Sequence, residues 1–246
     1  MRTSQYKAKE AYDEAAAANY DAQRFTSARG RLVDWLEKRA LSKALQLVPP
    51  AGRILDIPCG TGRITEFLLE KGHHVSGADI SQAMLRVSAE RLKRAARLGG
   101  LCALDAERMP FRNEAFEGIV CVRLAGHLPP PVRLPVLSEM RRVTSTWIIV
   151  TYYVSNRATD LKRRIKYLLR PRSRSWFPVS EQGIEREMRS AGLRVVGKVS
   201  VFKYVSEACM VVATADPTLP DSGSNCPKTV EESWDVFTRK APRHLA

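Results

Sequence analysis

Ten residues have the types and spacing of a ligand cradle: Ile54-Leu55-Asp56-Ile57-Pro58-Cys59-Gly60-Thr61-Gly62-Arg63. Ile54, Leu55 and Ile57 read as a buried strand with the carboxylate of Asp56 at its end. A tight Gly60-x-Gly62 turn follows, then an amphipathic helix with Ile64, Phe67 and Leu68 on one face. Glycines at a strand-to-helix turn let a ligand lie close to the backbone, and the helix N-terminus offers unpaired N–H groups. That is a cradle for a nucleotide cofactor. A dinucleotide fingerprint needs a third glycine where this chain has Thr65, and a phosphate loop needs a Gly-Lys-Ser/Thr that is missing. Two more carboxylates follow at strand ends. Asp79 is spaced to accept from both hydroxyls of an adenosine ribose, and Asp105 from an adenine amino group. Arg123-Leu-Ala-Gly-His127 follows a later strand and offers an imidazole able to take a proton from an acceptor hydroxyl, although His127 reads more readily as a structural residue.

The elements that must position these groups alternate. Residues 1–30 predict a loose N-terminal helix anchored by Tyr6, Tyr12, Tyr20 and Phe25, and residues 31–48 a second helix ended by Pro49-Pro50. Strand 53–57 leads to helix 63–71, closed by Gly72. Strand 74–78 leads to helix 81–97 with Ser81 as its N-cap. Strands at 101–104 and 118–122, helix 132–143 and strand 147–153 come next. Helix 180–191, without a clean capping box, stops at Gly192. Strands 194–203 and 207–214 then form an antiparallel hairpin around Lys203-Tyr-Val-Ser206. This pattern predicts an α/β protein with a doubly wound, mainly parallel sheet covered on both faces. Residues 215–246, rich in Pro, Ser, Asp and Gly, read as a flexible tail.

At 246 residues the chain fits one domain with appendages. No apolar run is long enough to span a bilayer, and the N-terminus lacks an apolar signal core, so a cytoplasmic protein is expected. The five cysteines are scattered without a C-x-x-C pair, which argues against a zinc site or a disulfide framework, and no metal is expected. The formal charge of +14 is concentrated: eight Lys/Arg against the single Asp160 in residues 157–174 supply half of it. Leu161, Ile165, Leu168 and Leu169 share one helical face there, with Lys162, Arg163 and Lys166 off that stripe and Trp176-Phe177 beyond Pro171. This basic segment, at 155–178, reads either as a lid packed on its own domain or as a surface for an anionic membrane or amphiphilic substrate.

Four motifs in order, Asp56-x-x-Cys59-Gly60-Thr61-Gly62, Gly77-Ala78-Asp79-Ile80-Ser81, Asp105-Ala106-Glu107-x-Met109-Pro110-Phe111 and Phe116-Glu117-x-Ile119-Val120, resemble those of the class I S-adenosylmethionine-dependent methyltransferases. The similarity is greatest to the group that includes the ubiquinone and menaquinone biosynthesis enzymes, and it covers residues 10–214. It implies a Rossmann-like seven-stranded sheet of order 3-2-1-4-5-7-6 with strand 7 antiparallel. Residues 1–48 would form a helical cap, and 49–214 the methyltransferase domain with its basic insertion after strand 5. Asp56, Pro58, Cys59, Gly60, Thr61 and Gly62 would then surround the cofactor's methionine part. Asp79 would hold the ribose, Ile80 and Met84 would line the adenine pocket, and Asp105 and Ala106 would close it. Arg123 would lie beside the methionine moiety. Cys59 and Met84 read equally as core packing. Pro58 departs from the glycine common in the family, forfeiting an N–H and positive φ.

The resemblance implies transfer of a methyl group, with oxygen the expected acceptor atom, to a small molecule, a lipid or a lipid-linked saccharide. Tyr20, Arg163, Lys166 and Trp176 are the candidates for acceptor contact, and His127 for the general base. The expected partners are an anionic or amphiphilic acceptor and an anionic surface at the inner face of the membrane. The alternatives are an RNA or other macromolecular acceptor held by the basic patch, and a non-enzymatic binding module. The Asn/Asp-Pro-Pro-aromatic motif of enzymes that methylate amino groups on bases is absent, since Pro129-Pro130-Pro131 has neither the amide nor the aromatic. That weakens the nucleic-acid reading.

Overall fold

The computed structural model describes residues 14–155, 177–201 and 208–216. The basic segment with Arg163, Lys166 and Trp176, the hairpin tip Lys203–Ser206 and the tail from 217 on lie outside the described residues. The elements are α1 (Glu14–Phe25), α2 (Ala28–Leu45), β1 (Arg53–Asp56), α3 (Arg63–Glu70), β2 (His74–Asp79), α4 (Gln82–Leu92) and β3 (Leu98–Ala103). They continue with β4 (Phe116–Cys121), a 3-10 turn (Ala125–His127), α5 (Pro130–Val143), β5 (Thr144–Tyr153), α6 (Glu181–Ser190), β6 (Leu193–Ser200) and β7 (Ala208–Ala215).

The strands form one seven-stranded sheet in the order β3-β2-β1-β4-β5-β7-β6. All neighbours pair in parallel except β7, which runs antiparallel to both β5 and β6. Alternation along each strand divides the core. Leu55, Ile57, Ile119, Ile148 and Val150 face α5 and α6 on one side, with Met140, Ile184 and Met188. Ile54, Val120, Trp147, Ile149 and Val212 face α2 and α3 on the other, with Leu41, Phe67 and Leu68. The second helix of the predicted cap is therefore a wall of the core. Trp147 locks that side: its indole N–H donates to Pro49 O at 3.1 Å, and its ring occupies the space above Gly118 that any Cβ would fill.

The structure shortens two predicted helices. The N-terminal helix breaks after Phe25, because Ser27 turns extended and its Oγ caps the next helix by accepting from Gly30 N at 3.0 Å. The polar 26–27 step offers no apolar anchor to carry one helix through. Helix α4 stops at Leu92 and β3 begins at Leu98, earlier than predicted. Leu98 pairs with Val75 and Gly100 with Ser76, leaving Gly99 as a bulge. Two glycines inside a strand carry no β-propensity signal, so only pairing with β2 reveals it. Ser180 does cap α6, accepting from Gly183 N at 3.1 Å. Among the described residues no helix is long and apolar enough to cross a membrane.

Candidate cofactor and acceptor site

The C-terminal ends of β1, β2 and β4 meet at the crevice of the sheet, where open α/β folds bind ligands. Asp56 ends β1 fully buried, its Oδ2 accepting from Thr65 Oγ1 at 2.6 Å while Oδ1 has no partner. Thr65, standing where a third glycine would be, thus anchors the carboxylate. Burial pushes the Asp56 carboxyl up to about 7, against the opposing pull of the Thr65 hydrogen bond. The Ile57–Pro58 peptide is cis. The turn's hydrogen bonds are made on either side of the proline: Ile57 N donates to Val120 O at 2.9 Å and Cys59 N to Ala78 O at 2.8 Å. Positive φ falls on Gly60 (+54°) and Gly62 (+81°). Pro58 therefore costs the turn neither a needed donor nor a needed conformation.

The two glycines differ in surroundings. A Cβ on Gly62 would lie 2.5 Å from Ser88 Oγ, whereas one on Gly60 would point into open space. Gly60 N donates to Asp79 Oδ2 at 2.9 Å, and Ser81 N donates to Asp79 Oδ1 at 2.9 Å. Burial raises the Asp79 carboxyl, partly opposed by these backbone donors. Asp79 is thereby fixed in orientation and keeps some acceptor capacity.

Beside it opens a small cleft. Pro58, Asp79, Ile80, Asp105 and Ala106 line it, five of the residues the sequence singled out. Leu104, Glu107, Leu124, Leu128, Val132 and Val136 complete the wall, and these the sequence reading missed. Leu104 and Glu107 follow β3, while Leu124, Leu128, Val132 and Val136 come from the loop after β4 and from α5, where apolar spacing reads as ordinary core. Asp105 Oδ1 accepts from Glu107 N at 3.0 Å. Beyond it, Arg142 fastens the following loop by donating to Met109 O at 2.8 Å and Phe111 O at 2.7 Å. Met84 is buried against Ala17, Ala83 and Tyr20, and Cys59 is buried with its sulfur against Gly77; neither lines the cleft.

The remaining candidates gather where α1 and α2 cross the turn. Thr61 Oγ1 donates to Asp21 Oδ1 at 2.8 Å, and Arg91 pairs with the other oxygen of Asp21. Arg123, past the end of β4, adopts φ +64° and donates from Nε to Glu37 Oε1 at 2.7 Å. Arg63 Nη2 donates to Glu37 Oε2 at 2.7 Å and its Nη1 to Asp34. Burial disfavours the Arg123 charge, but Glu37 more than offsets this and holds the guanidinium above its usual range. Phe25 lies against both cations, its ring centre 4.4 Å from the Arg63 guanidinium carbon and 5.3 Å from that of Arg123. Tyr20 carries Arg24 over its ring at 4.8 Å. His127 Nε2 is 3.4 Å from Tyr153 Oη, their rings edge to face. Burial raises the Tyr153 hydroxyl. Glu37 and Tyr153 were not singled out in the sequence. The available signal for Glu37 was a carboxylate set on the apolar stripe of α2, three and four residues before the buried Ala40 and Leu41.

Comparison with known proteins agrees with this geometry. Residues 54–146 match the methyltransferase domain family. The ubiquinone/menaquinone biosynthesis C-methyltransferase of Burkholderia mallei is 32% identical over 132 residues, 52% of this chain and 52% of that protein. The chain thus spans about half the length of the curated relatives it matches. Among solved structures, magnesium protoporphyrin IX methyltransferase from Synechocystis superposes with a TM-score of 0.63 at 15% identity, over 83% of this chain and 100% of that one. A Burkholderia thailandensis 1,6-didemethyltoxoflavin-N1-methyltransferase, solved with S-adenosylhomocysteine, gives 0.57 at 18% over 82% and 88%. These likenesses show the fold: a Rossmann-like methyltransferase sheet.

Proposed function

We propose that this chain, whose residues 54–146 carry a methyltransferase domain, is an S-adenosylmethionine-dependent methyltransferase acting on a hydroxyl-bearing small molecule, lipid or lipid-linked saccharide. The observation that carries the cofactor reading is the cleft. Asp79 is held by two backbone donors at its inner end, Asp105 and Ala106 form its wall, and Gly60 leaves open space at the turn. The residues fit the cofactor. Asp79 has acceptor capacity for a ribose hydroxyl, the apolar wall from Leu104, Leu124 and Leu128 suits a base, and Asp56, with its Oδ1 unpartnered, is buried at the end of β1 just before the glycine turn in the chain. The cofactor supplies an electrophilic methyl group on a sulfonium.

What the chain must add is alignment, exclusion of water and, for a hydroxyl acceptor, removal of a proton. His127 is the group proposed to take it, with the Tyr153 hydroxyl orienting the imidazole. Oxygen is the proposed acceptor atom. The relative named a C-methyltransferase favours a second reading, in which a phenol deprotonated by the same base is methylated on ring carbon. Tyr20 would border the acceptor, Arg123 the methionine end of the cofactor, and Arg163, Lys166 and Trp176 would engage the anionic portion of the acceptor or an anionic membrane surface.

The test is transfer of labelled methyl from S-adenosylmethionine into fractionated cell extract, with thermal shift as the binding measurement. Label in a lipid or small-molecule fraction is expected, and label in RNA would overturn the acceptor class. Cofactor binding without transfer into any fraction would favour a non-enzymatic module. An unchanged melting temperature with both S-adenosylmethionine and S-adenosylhomocysteine would overturn the proposal, as would a thermal shift that survives Asp79→Ala.

A further inference from the structure

A carboxylate that sequence reasoning passed over holds the two arginines flanking the glycine turn. Glu37 is nearly fully buried, and each of its oxygens accepts from a different guanidinium at 2.7 Å, Arg63 and Arg123. Those arginines issue from neighbouring strand ends. Arg63 opens α3 directly after Gly62, and Arg123 follows β4, which pairs with β1. Phe25 of α1 packs against both cations. The cap helices thus contribute one carboxylate and one aromatic face to a pair of like charges that would otherwise repel across a half-buried space. Asp34 serves Arg63 from the outer side and is shared with Lys38 at 3.1 Å. Three cations therefore face two carboxylates, and Glu37 is the only carboxylate that touches Arg123 among the described residues.

This matters because of the charge the turn must accept. On the methyltransferase reading, on which this inference rests, the donor is a cationic sulfonium and its demethylated product is neutral at sulfur. The Asp79 and Asp105 end of the site takes the nucleoside, so the other end of the donor runs over the Gly60–Gly62 turn toward Arg123. We infer that Glu37 is a positioning residue that neutralises and orients the Arg63–Arg123 pair from the cap, so that the turn accepts a positively charged methyl donor. Without its charge Arg123 would stand uncompensated beside the donor, and Arg63 would keep only Asp34, which it shares with Lys38. In a half-buried site that repulsion is far less screened than in bulk water.

The full chain is tested by calorimetry with S-adenosylmethionine and S-adenosylhomocysteine in parallel. Glu37→Gln keeps the shape and removes the charge. Expected is weaker binding of both ligands, with S-adenosylmethionine losing at least about fivefold more than the product, the low end of site-to-site coupling. Adding Arg123→Gln should restore the ratio of the two affinities toward wild type. If Glu37→Gln does not fold, Arg123→Gln alone tests the same balance from the other side and should shift the ratio in favour of S-adenosylmethionine. Equal losses for the two ligands, or a lower melting temperature with unchanged affinities, would reduce Glu37 to a structural residue. A wild-type chain that binds neither ligand would instead refute the methyltransferase reading on which this role rests.

Discussion

Gly60 and Gly62 occupy the same motif, yet the structure predicts opposite consequences for adding a methyl group to each. At Gly62, alanine must hold φ near +81° and place its Cβ 2.5 Å from Ser88 Oγ, with Leu92 Cδ1 and Ser88 Cα at 3.2 and 3.3 Å. The left-handed backbone costs roughly 1–2 kcal/mol and the overpacking about 1–3 kcal/mol. Loss of unfolded-state freedom returns only about 0.4–1 kcal/mol. A net destabilisation of ~3 kcal/mol follows, and at ~2–4 °C per kcal/mol for a domain of this size the melting temperature should fall by ~6–12 °C. At Gly60, φ is +54° and nothing lies within 4 Å of the added Cβ, so only the backbone penalty remains, ~1 kcal/mol or less after the entropy offset.

That open space is where the cofactor backbone is proposed to lie. Gly60→Ala should therefore weaken S-adenosylhomocysteine binding by about 5–150-fold, the equivalent of ~1–3 kcal/mol of overpacking against the ligand. The assay is paired: thermal denaturation of the free proteins and calorimetric titration of both variants. In the Gly62→Ala background, Ser88→Gly should recover part of the lost stability. A Gly60→Ala variant that binds like wild type would refute the reasoning, as would a Gly62→Ala variant no less stable than Gly60→Ala.

Two further outcomes are expected. Asp56 has a folded pKa of about 7, above the unfolded 3.8, so between those values the folded state binds more protons and stability falls as pH rises, by up to ~4 kcal/mol. Asp56→Asn should flatten denaturant-derived stability between about pH 4 and 7, the raised Asp79 leaving a residual slope of the same sign, and an unchanged profile would contradict the burial argument. For the proposed base, His127→Gln should lower kcat by at least about 10²-fold with cofactor affinity unchanged, and Tyr153→Phe by about tenfold. Steady-state rates equal to wild type in both would make the His127–Tyr153 contact structural.

Much of the fold is legible in the residues because it rests on periodicity. The run at Ile54–Ile57, the glycine turn and the alternation through Tyr153 are local patterns, and the sheet order emerges as the resemblance implies. The failures have local causes too. Gly99 and Gly100 hide a strand that exists only by pairing with β2, and the helix break at Ser27 depends on a cap whose worth shows once Gly30 packs on the Arg24–Phe25 backbone. Pro58 looks like a damaging letter until its neighbours are seen to make the turn's hydrogen bonds.

In the site, the sequence alone determined the groups that sit at strand ends: Asp56, Asp79, Asp105 and the glycines between them. Chain direction and strand parallelism bring those to one edge whatever the side-chain details. Only the tertiary structure decided what faces them. Glu37 lies 26 residues from Arg63 and 86 from Arg123, and Tyr153 lies 26 from His127. No local period links such pairs. Their meeting depends on how α2 crosses the sheet and on which strands are neighbours, and a charge buried between two arginines acquires its role only when that packing is complete.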